Sequence, residues 1–273
     1  MKTWDETIQY IRSQPQYNNL VHDAYFGTDV MGNAKRFIES EEWKATVLLL
    51  QSYTSIGKSR VLDIGAGGGI SSYAFAKLGA TVDAIEPDNS DTIGSTAIET
   101  LAATLAPGQL TAHRIFAEDF ITSEGGYDIV YARQSMHHAY HLQEFVNTAF
   151  KALKKDGVFI TVRDHVVIDD KDKQQFLRLH PLHKFYGGEN AFTLAQYLAA
   201  MTNAGFHVKE QLGPTASDIN LFPYTENNFR KMVGTKIPLL GKLKVVQNMA
   251  WTYYQKHLVK LPGRIYSFIA VKP

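Results

Sequence analysis

The chain has 273 residues, no cysteine and a formal net charge of +1. Without cysteine there is no disulfide framework, no thiolate zinc site and no cysteine nucleophile, and a reducing compartment is permitted. With 45% hydrophobic and 20% charged residues, the composition is that of a globular chain able to bury a full core.

The opening stretch MKTWDETIQYIRSQ lacks the apolar h-region of a signal peptide. No apolar run approaches the ~20 residues needed to cross a bilayer. A cytoplasmic location is therefore the expectation. Residues 1–55 read as a helical N-terminal cap rich in Tyr and Phe, closing with EEWKATVLLLQSY. From Arg60 the pattern changes: short apolar runs bounded by Gly or Asp alternate with helical stretches, the signature of a parallel sheet with crossover helices. Strands are expected at 60–64, 81–86, 110–115, 127–132, 157–163, 206–211 and 264–271. The helices between them start near Ile70, Asp91, His138 and Thr193, the last with a capping box of Thr193 and Gln196. A second unit thus runs from 56 to 273, carrying insertions at 164–190 and 213–263. Long insertions at strand ends often build the binding crevice.

From Lys209 onward ten Lys/Arg stand against three Asp/Glu. A solvated lysine face is the expectation there; attraction of an anionic acceptor or a membrane surface is the alternative. The insertion KMVGTKIPLLGKLKVVQNMAWTYYQKHLVK suits a cap over the site, a homodimer interface or a membrane-surface contact, with the cap preferred.

The informative segment is VLDIGAGGGI, Val61 to Ile70. Gly65, Gly67 and Gly69 follow a buried-type strand and precede a helix, the frame of a nucleotide loop. A dinucleotide fingerprint starting at Gly65 places its third glycine at position 70, where the chain has Ile70. That argues against a nicotinamide-dependent oxidoreductase. Asp63 suits an ammonium group better than a pyrophosphate. Glu86 ends the next strand, where a carboxylate accepts hydrogen bonds from both ribose hydroxyls. The pattern fits a cofactor with an amino-acid end and an adenosine end and no phosphate.

VLDIGAGGG, AIEPD, YDIVYARQSMHH and LKKDGVFITVRDH in succession resemble the motifs of class I S-adenosylmethionine-dependent methyltransferases, from about Arg60 to Arg163 and again at NAGF and the final strand. The resemblance implies a Rossmann-like α/β fold with a seven-stranded, mostly parallel sheet and an antiparallel last strand. It implies S-adenosylmethionine across the strand ends, with Asp63 and the Gly65–Gly69 backbone at the methionine part, Glu86 at the ribose, and Glu118 or Asp119 at the adenine.

The residues Arg133 to His138, just past the fourth strand, face the methyl group in that family, so Arg133 is a candidate for both cofactor and reacting group. The chain lacks the [DN]-P-P-[FY] motif and any basic patch interleaved with aromatic residues; a nucleic-acid partner is not expected. Six of the ten histidines lie between His137 and His183, and imidazole is the natural proton acceptor near neutrality. YARQSMHH also resembles phosphobase methyltransferases, where the histidine matching His138 pairs with an N-terminal tyrosine; Tyr17 and Tyr25 are the candidates. Gln134 replaces an acid of those enzymes. His138 reads equally as a base and as a helix cap, while packing is favoured for His137 and His141. Arg163, His165, His180, His183 and Lys184 form a pool for an anionic acceptor. A metal held by Asp164, His165, His180 and His183 ranks below this, because His180-x-x-His183 matches no zinc spacing, and no metal is assigned.

The reading is thus methyl transfer to a small acceptor, first an oxygen of a sugar, phosphate or small acid with help from His138, His165, Arg133 and Tyr25. A phosphobase-like N-acceptor and a non-catalytic cofactor-binding subunit are the alternatives.

Overall fold

The computed structural model describes residues 1–120, 125–237 and 240–273. In chain order its elements are helices α1 (Trp4–Arg12), α2 (Asn18–Asp23), α3 (Val30–Glu39) and α4 (Glu41–Gln51), strand β1 (Arg60–Ile64), α5 (Ile70–Lys77), β2 (Thr81–Ile85), α6 (Ser95–Ala102), β3 (Leu110–His113), β4 (Tyr127–Arg133), α7 (Leu142–Ala152) and β5 (Leu153–Val167). Then come α8 (Asp170–Leu179), α9 (His183–Tyr186), β6 (Phe192–Thr193), α10 (Leu194–Ala204), β7 (His207–Leu212), α11 (Asp218–Leu221), α12 (Glu226–Lys236), α13 (Lys244–Leu258) and β8 (Arg264–Val271).

The strands lie in the order β3-β2-β1-β4-β5-β8-β7. Neighbours are parallel except that β8 runs antiparallel to both β5 and β7. The expected seven strands and the antiparallel last strand are present. An eighth, the two-residue β6, pairs with the end of β5.

Because strand side chains alternate between faces, each strand serves two cores. Val61, Ile129, Tyr131, Ile160 and Val162 meet α3, α4 and α5 on one face. Leu62, Ile64, Val130, Ala132 and Phe159 meet α7 and α10 on the other. The first core is organised by aromatic edges: Phe37 lies 5.4 Å from Trp43, Trp43 4.8 Å from Phe75, and Phe75 5.1 Å from Tyr131. Within residues 1–55, then, α3 and α4 are part of the main core, capped by Asp29 and Ser40. The α1 helix instead joins Ile93 and Leu182 in a small separate cluster.

Three boundaries differ from the sequence expectation. The helix expected near Asp91 starts at Ser95, because the Asp88 side chain first caps a turn through the Ser90 N–H at 2.8 Å. His138 ends a 3₁₀ turn, and α7 starts at Leu142. The fifth strand, expected to end at 163, runs on to Val167: a bulge between Thr161 and Asp164 lets Asp164, His165 and Val166 keep pairing with β8. Arg163, in that bulge, takes φ +65°.

Candidate functional site

A cavity of about 1040 Å³ opens at the carboxyl ends of β1, β2 and β4, where open α/β sheets bind ligands. It is large enough for a cofactor and a second small molecule, since drug-sized ligands occupy ~300–1,000 Å³. One half is lined by Gly65–Gly68, Glu86, Phe116 and Glu118, the other by Arg133, His137, His138, His165 and Glu189.

The glycine loop is held by its backbone and by one acid. The N–H groups of Gly65 and Ala66 both donate to the Ile85 carbonyl, at 2.9 and 3.0 Å. Gly65 has φ +68°, and a Cβ there would collide with the Ser135 side chain. Gly69 begins α5 at φ +76°, with a Cβ position 2.9 Å from Ile98 Cγ1; it lies outside the cavity wall. Glu86 ties the two strand ends together: Oε2 accepts from the Gly67 N–H at 2.8 Å and Oε1 from the Asp88 N–H at 2.9 Å. Burial pushes its carboxyl up to about 7 despite those hydrogen bonds.

Asp63 is placed differently from the sequence expectation. It is fully buried beneath the loop and does not line the cavity. Its Oδ2 accepts from the Ser71 and Ser72 hydroxyls, both at 2.6 Å. Its Oδ1 is buried without a partner, and burial raises its carboxyl to about 6. Of these, Ser71 reaches the cavity. Glu118 lines the cavity and accepts from the Tyr140 N–H at 3.1 Å, whereas Asp119 is exposed and outside it.

Arg133 and Tyr25 both line the cavity. Arg133 is committed to Glu42, its Nε and Nη2 donating at 2.5 and 3.0 Å. Burial opposes its charge, yet the fully buried Glu42 raises its pKa on balance. Glu42 also stands 3.7 Å from Nε of Arg163, whose Nη1 donates to the Ile219 and Phe222 carbonyls. Arg163 thus supports the wall from behind. Tyr25 stacks on Phe222 at 5.7 Å, with the Arg133 guanidinium 5.7 Å from its ring, and burial raises its phenol. Tyr17 packs 6.2 Å from Phe185. Among the described residues no hydrogen bond joins either tyrosine to His138.

The histidines gather round one glutamate. His137 is buried; its backbone N–H and its Nδ1 both meet Asp164 Oδ1 at 3.0 Å. Burial works against its cation, but Asp164 and Glu189 outweigh it and raise the pKa to about 9. His138 Nδ1 donates to the Gly188 carbonyl at 3.0 Å. Its side chain keeps 36% exposure, yet the enclosing walls and then His137 lower its pKa to about 4. His165 Nδ1 donates to the Gly263 carbonyl at 2.7 Å, and burial lowers its pKa strongly. Glu189 accepts from the Tyr186 hydroxyl at 2.5 Å and lies 3.5 Å from His180 Nδ1. Burial opposes its ionisation, but the surrounding histidines win and depress its pKa.

Of the sequence-predicted set, the cavity brings together Gly65, Gly67, Glu86, Glu118, Arg133, Tyr25, His138 and His165. The pool of Asp164, His165, His180 and His183 does not converge as a unit, because Asp164 turns to His137 and His165 to Gly263. Sequence reasoning missed Glu189 and Glu42. Glu42 is one of three acids in a short helical stretch with Glu39 and Glu41, Glu189 is a lone acid in a loop, and no spacing signal marks either.

The 213–263 insertion, expected to close over the acceptor, contributes no lining residue among those described. Its helices α12 and α13 pack on each other through Phe229, Trp251 and Tyr254. Residues 180–190 and α1 close the cavity instead, through Trp4, Leu182 and Tyr186. No helix among the described residues is long and apolar enough to cross a membrane.

The family model described as a methyltransferase domain matches residues 35–211. The ribosomal protein L11 methyltransferase of Campylobacter concisus is 32% identical over 120 residues, 44% of this chain and 40% of that protein. The ubiquinone biosynthesis O-methyltransferase of Hydrogenovibrio crunogenus is 32% identical over 109 residues, 40% of this chain and 44% of that one. The chain thus spans less than half the length of these curated relatives. Phosphoethanolamine N-methyltransferase 2 of Haemonchus contortus, solved with S-adenosyl-L-methionine, shares the fold at a TM-score of 0.56 and 16% identity, over 94% of this chain and 60% of that one.

Proposed function

This chain belongs to the methyltransferase-domain family, the class I S-adenosylmethionine-dependent type, and from that premise we propose that it methylates an oxygen of a small sugar, phosphate or acid. The observation that carries this reading is one continuous cavity with a glycine loop and a carboxylate at one end and a histidine cluster at the other.

The residues present fit S-adenosylmethionine. The Gly65 position admits no Cβ, and Glu86 offers a carboxylate for ribose hydroxyls. The unpartnered Asp63 Oδ1 behind the loop adds negative potential on the side meant for an ammonium. When bound, that cofactor supplies a methyl group on a positively charged sulfur.

The chain's own contribution is placement and proton handling. Glu86 and the loop fix the cofactor end, and Phe116 and Glu118 flank it. Trp4, Phe26 and Tyr186 shield the acceptor end from water. Since Nδ1 of His138 is spent on Gly188, its Nε2 keeps a lone pair that accepts the hydroxyl proton. Holding acceptor and methyl in line supplies most of the acceleration, worth up to ~7–11 kcal/mol in well-aligned systems.

A phosphobase-like amine acceptor is the second reading. Trp4 sits 4.9 Å from Tyr186 and 5.5 Å from Phe26, and such clustered aromatic faces attract quaternary ammonium groups.

Calorimetric titration with S-adenosylmethionine and with NADH tests the class, followed by an acceptor screen for S-adenosylhomocysteine release. Micromolar binding of the sulfonium compound, weakened by Glu86→Ala and by Asp63→Ala, supports it. Tight NADH binding with no response to S-adenosylmethionine sinks it.

A further inference from the structure

We infer that His137, His138 and Glu189 form a binding site for one divalent first-row transition ion at the acceptor end of the cavity. One ligand atom from each of the three lies within 4.8 Å of the others. Nε2 of His137 and Nε2 of His138 stand 3.8 and 3.9 Å from Oε2 of Glu189. Those separations are too long for hydrogen bonds, which end near ~3.2 Å for N–H···O. They suit a cation between the groups: bonds of ~2.0–2.2 Å hold neighbouring ligand atoms roughly 3–3.5 Å apart. Inward movements of less than about 1 Å close the set to that size.

Two further observations point the same way. Glu189 Oε2 is buried without any hydrogen-bond partner, and the His137 imidazolium faces it only at 3.8 Å, so an ion at bonding distance meets this oxygen more closely than any neighbour does. Both imidazoles have also spent Nδ1 on an acceptor, His137 on Asp164 and His138 on the Gly188 carbonyl. Each therefore turns Nε2 toward Glu189, and an ion binding there displaces the proton that His137 carries near neutrality. A carboxylate or carbonyl behind the other ring nitrogen is how metal-binding histidines are oriented. The fully buried Asp164 behind His137 completes such a carboxylate–histidine arrangement.

The donor set selects the ion class. Two imidazole nitrogens and one carboxylate oxygen suit Zn(II), Co(II), Fe(II) or Mn(II), whereas Mg(II) and Ca(II) prefer oxygen alone. Three protein ligands leave coordination positions open, and they open toward the cavity that His137, His138 and Glu189 line. Resting on the O-methylation reading above, an oxygen donor of the acceptor (hydroxyl, carboxylate or phosphate) fills those positions and is held facing the cofactor. In the loaded site the ion occupies the Nε2 lone pair of His138 and acidifies a bound hydroxyl itself, so His138 acts as proton acceptor only in the metal-free chain.

The test uses tag-free full-length protein stripped with chelator, titrated separately with ZnCl₂ and CoCl₂ and followed by calorimetry and cobalt visible absorption. One ion per chain is expected, with Glu189→Gln and His138→Gln each weakening binding at least tenfold and His22→Gln leaving it unchanged. The ion raises the melting temperature of the parent and not of Glu189→Gln. Should Glu189→Gln fail to fold, the partly exposed His138 supplies the decisive variant. Absence of stoichiometric binding to the parent, or binding that survives both substitutions, overturns the inference. The same stripped sample titrated with S-adenosylmethionine separates the two readings. Cofactor binding without metal binding removes the metal site and leaves methyl transfer standing; metal binding without cofactor binding does the reverse.

Discussion

The Glu86 carboxylate takes its hydrogen bond from the backbone of Gly67, at 2.8 Å, so the acid ending β2 holds the loop that follows β1. One residue thus shapes the loop and offers its remaining lone pairs to a ligand. Whatever titrates Glu86 acts on both.

That link sets a pH dependence. Glu86 is raised from its ordinary 4.5 to about 7, so the folded chain holds this proton more tightly than the unfolded one. Its contribution to stability is fullest below 4.5 and falls as pH rises to about 7, by ~3 kcal/mol for a shift of this size. Asp63, raised to about 6, acts in the same direction over a lower window. Urea denaturation of parent and Glu86→Gln from pH 4.5 to 7.5 should show the slope in the parent and its reduction in the variant. Ribose hydroxyls donate best to the ionised form, so cofactor affinity should weaken up to about tenfold per unit below pH 7. Glu86→Gln should flatten that profile.

Gly65→Ala should destabilise the protein and loosen cofactor binding. It combines a left-handed backbone, ~1–2 kcal/mol for a residue with a Cβ, with a collision against the Ser135 side chain. Gly108→Ala is the control, since Gly108 has φ +76° but nothing within 4 Å of its Cβ position. Chemical denaturation should show a larger loss at Gly65 than at Gly108. Ser135→Gly in the Gly65→Ala background should restore part of the difference; equal losses at the two glycines would contradict the packing argument.

Among the described residues Glu42 is the one carboxylate that both Arg133 and Arg163 face at close range, within 3.0 and 3.7 Å. Glu42→Ala leaves two buried guanidinium groups without it, a change that costs ~3–5 kcal/mol for a broken buried pair. Glu42→Gln, which keeps shape and loses charge, should cost less. A urea midpoint for Glu42→Ala within error of the parent would show that solvent already screens the pair.

His138→Gln should lower turnover by ~10²-fold or more, the usual contribution of a positioned acid–base group. Cofactor affinity should stay within about twofold, because the loop and Glu86 are untouched. His141→Gln, on an exposed residue, is the control. Rates of S-adenosylhomocysteine release with an acceptor from the screen decide the matter, and equal rates in the two variants would remove His138 from the reaction.

The sequence by itself determined the layer order, the strand–loop–helix frame from Arg60 to Lys77, the position of Glu86 and the Thr193–Gln196 capping box. These are local properties: periodicity of 2 or 3.6, glycines where φ is positive, and caps three residues apart. Only the tertiary structure decided the rest. The pleat of β1 turns Asp63 under the loop toward Ser71 and Ser72 rather than into the cavity. Glu42 meets Arg133 across 91 positions, and Glu189, in the loop between α9 and β6, comes within 3.9 Å of both His137 and His138. In the 213–263 insertion α12 and α13 pack on each other and residues 219–222 brace Arg163 and Tyr25, which leaves closure of the cavity to α1 and residues 180–190. Such pairings depend on which elements become neighbours, and no spacing along the chain encodes that.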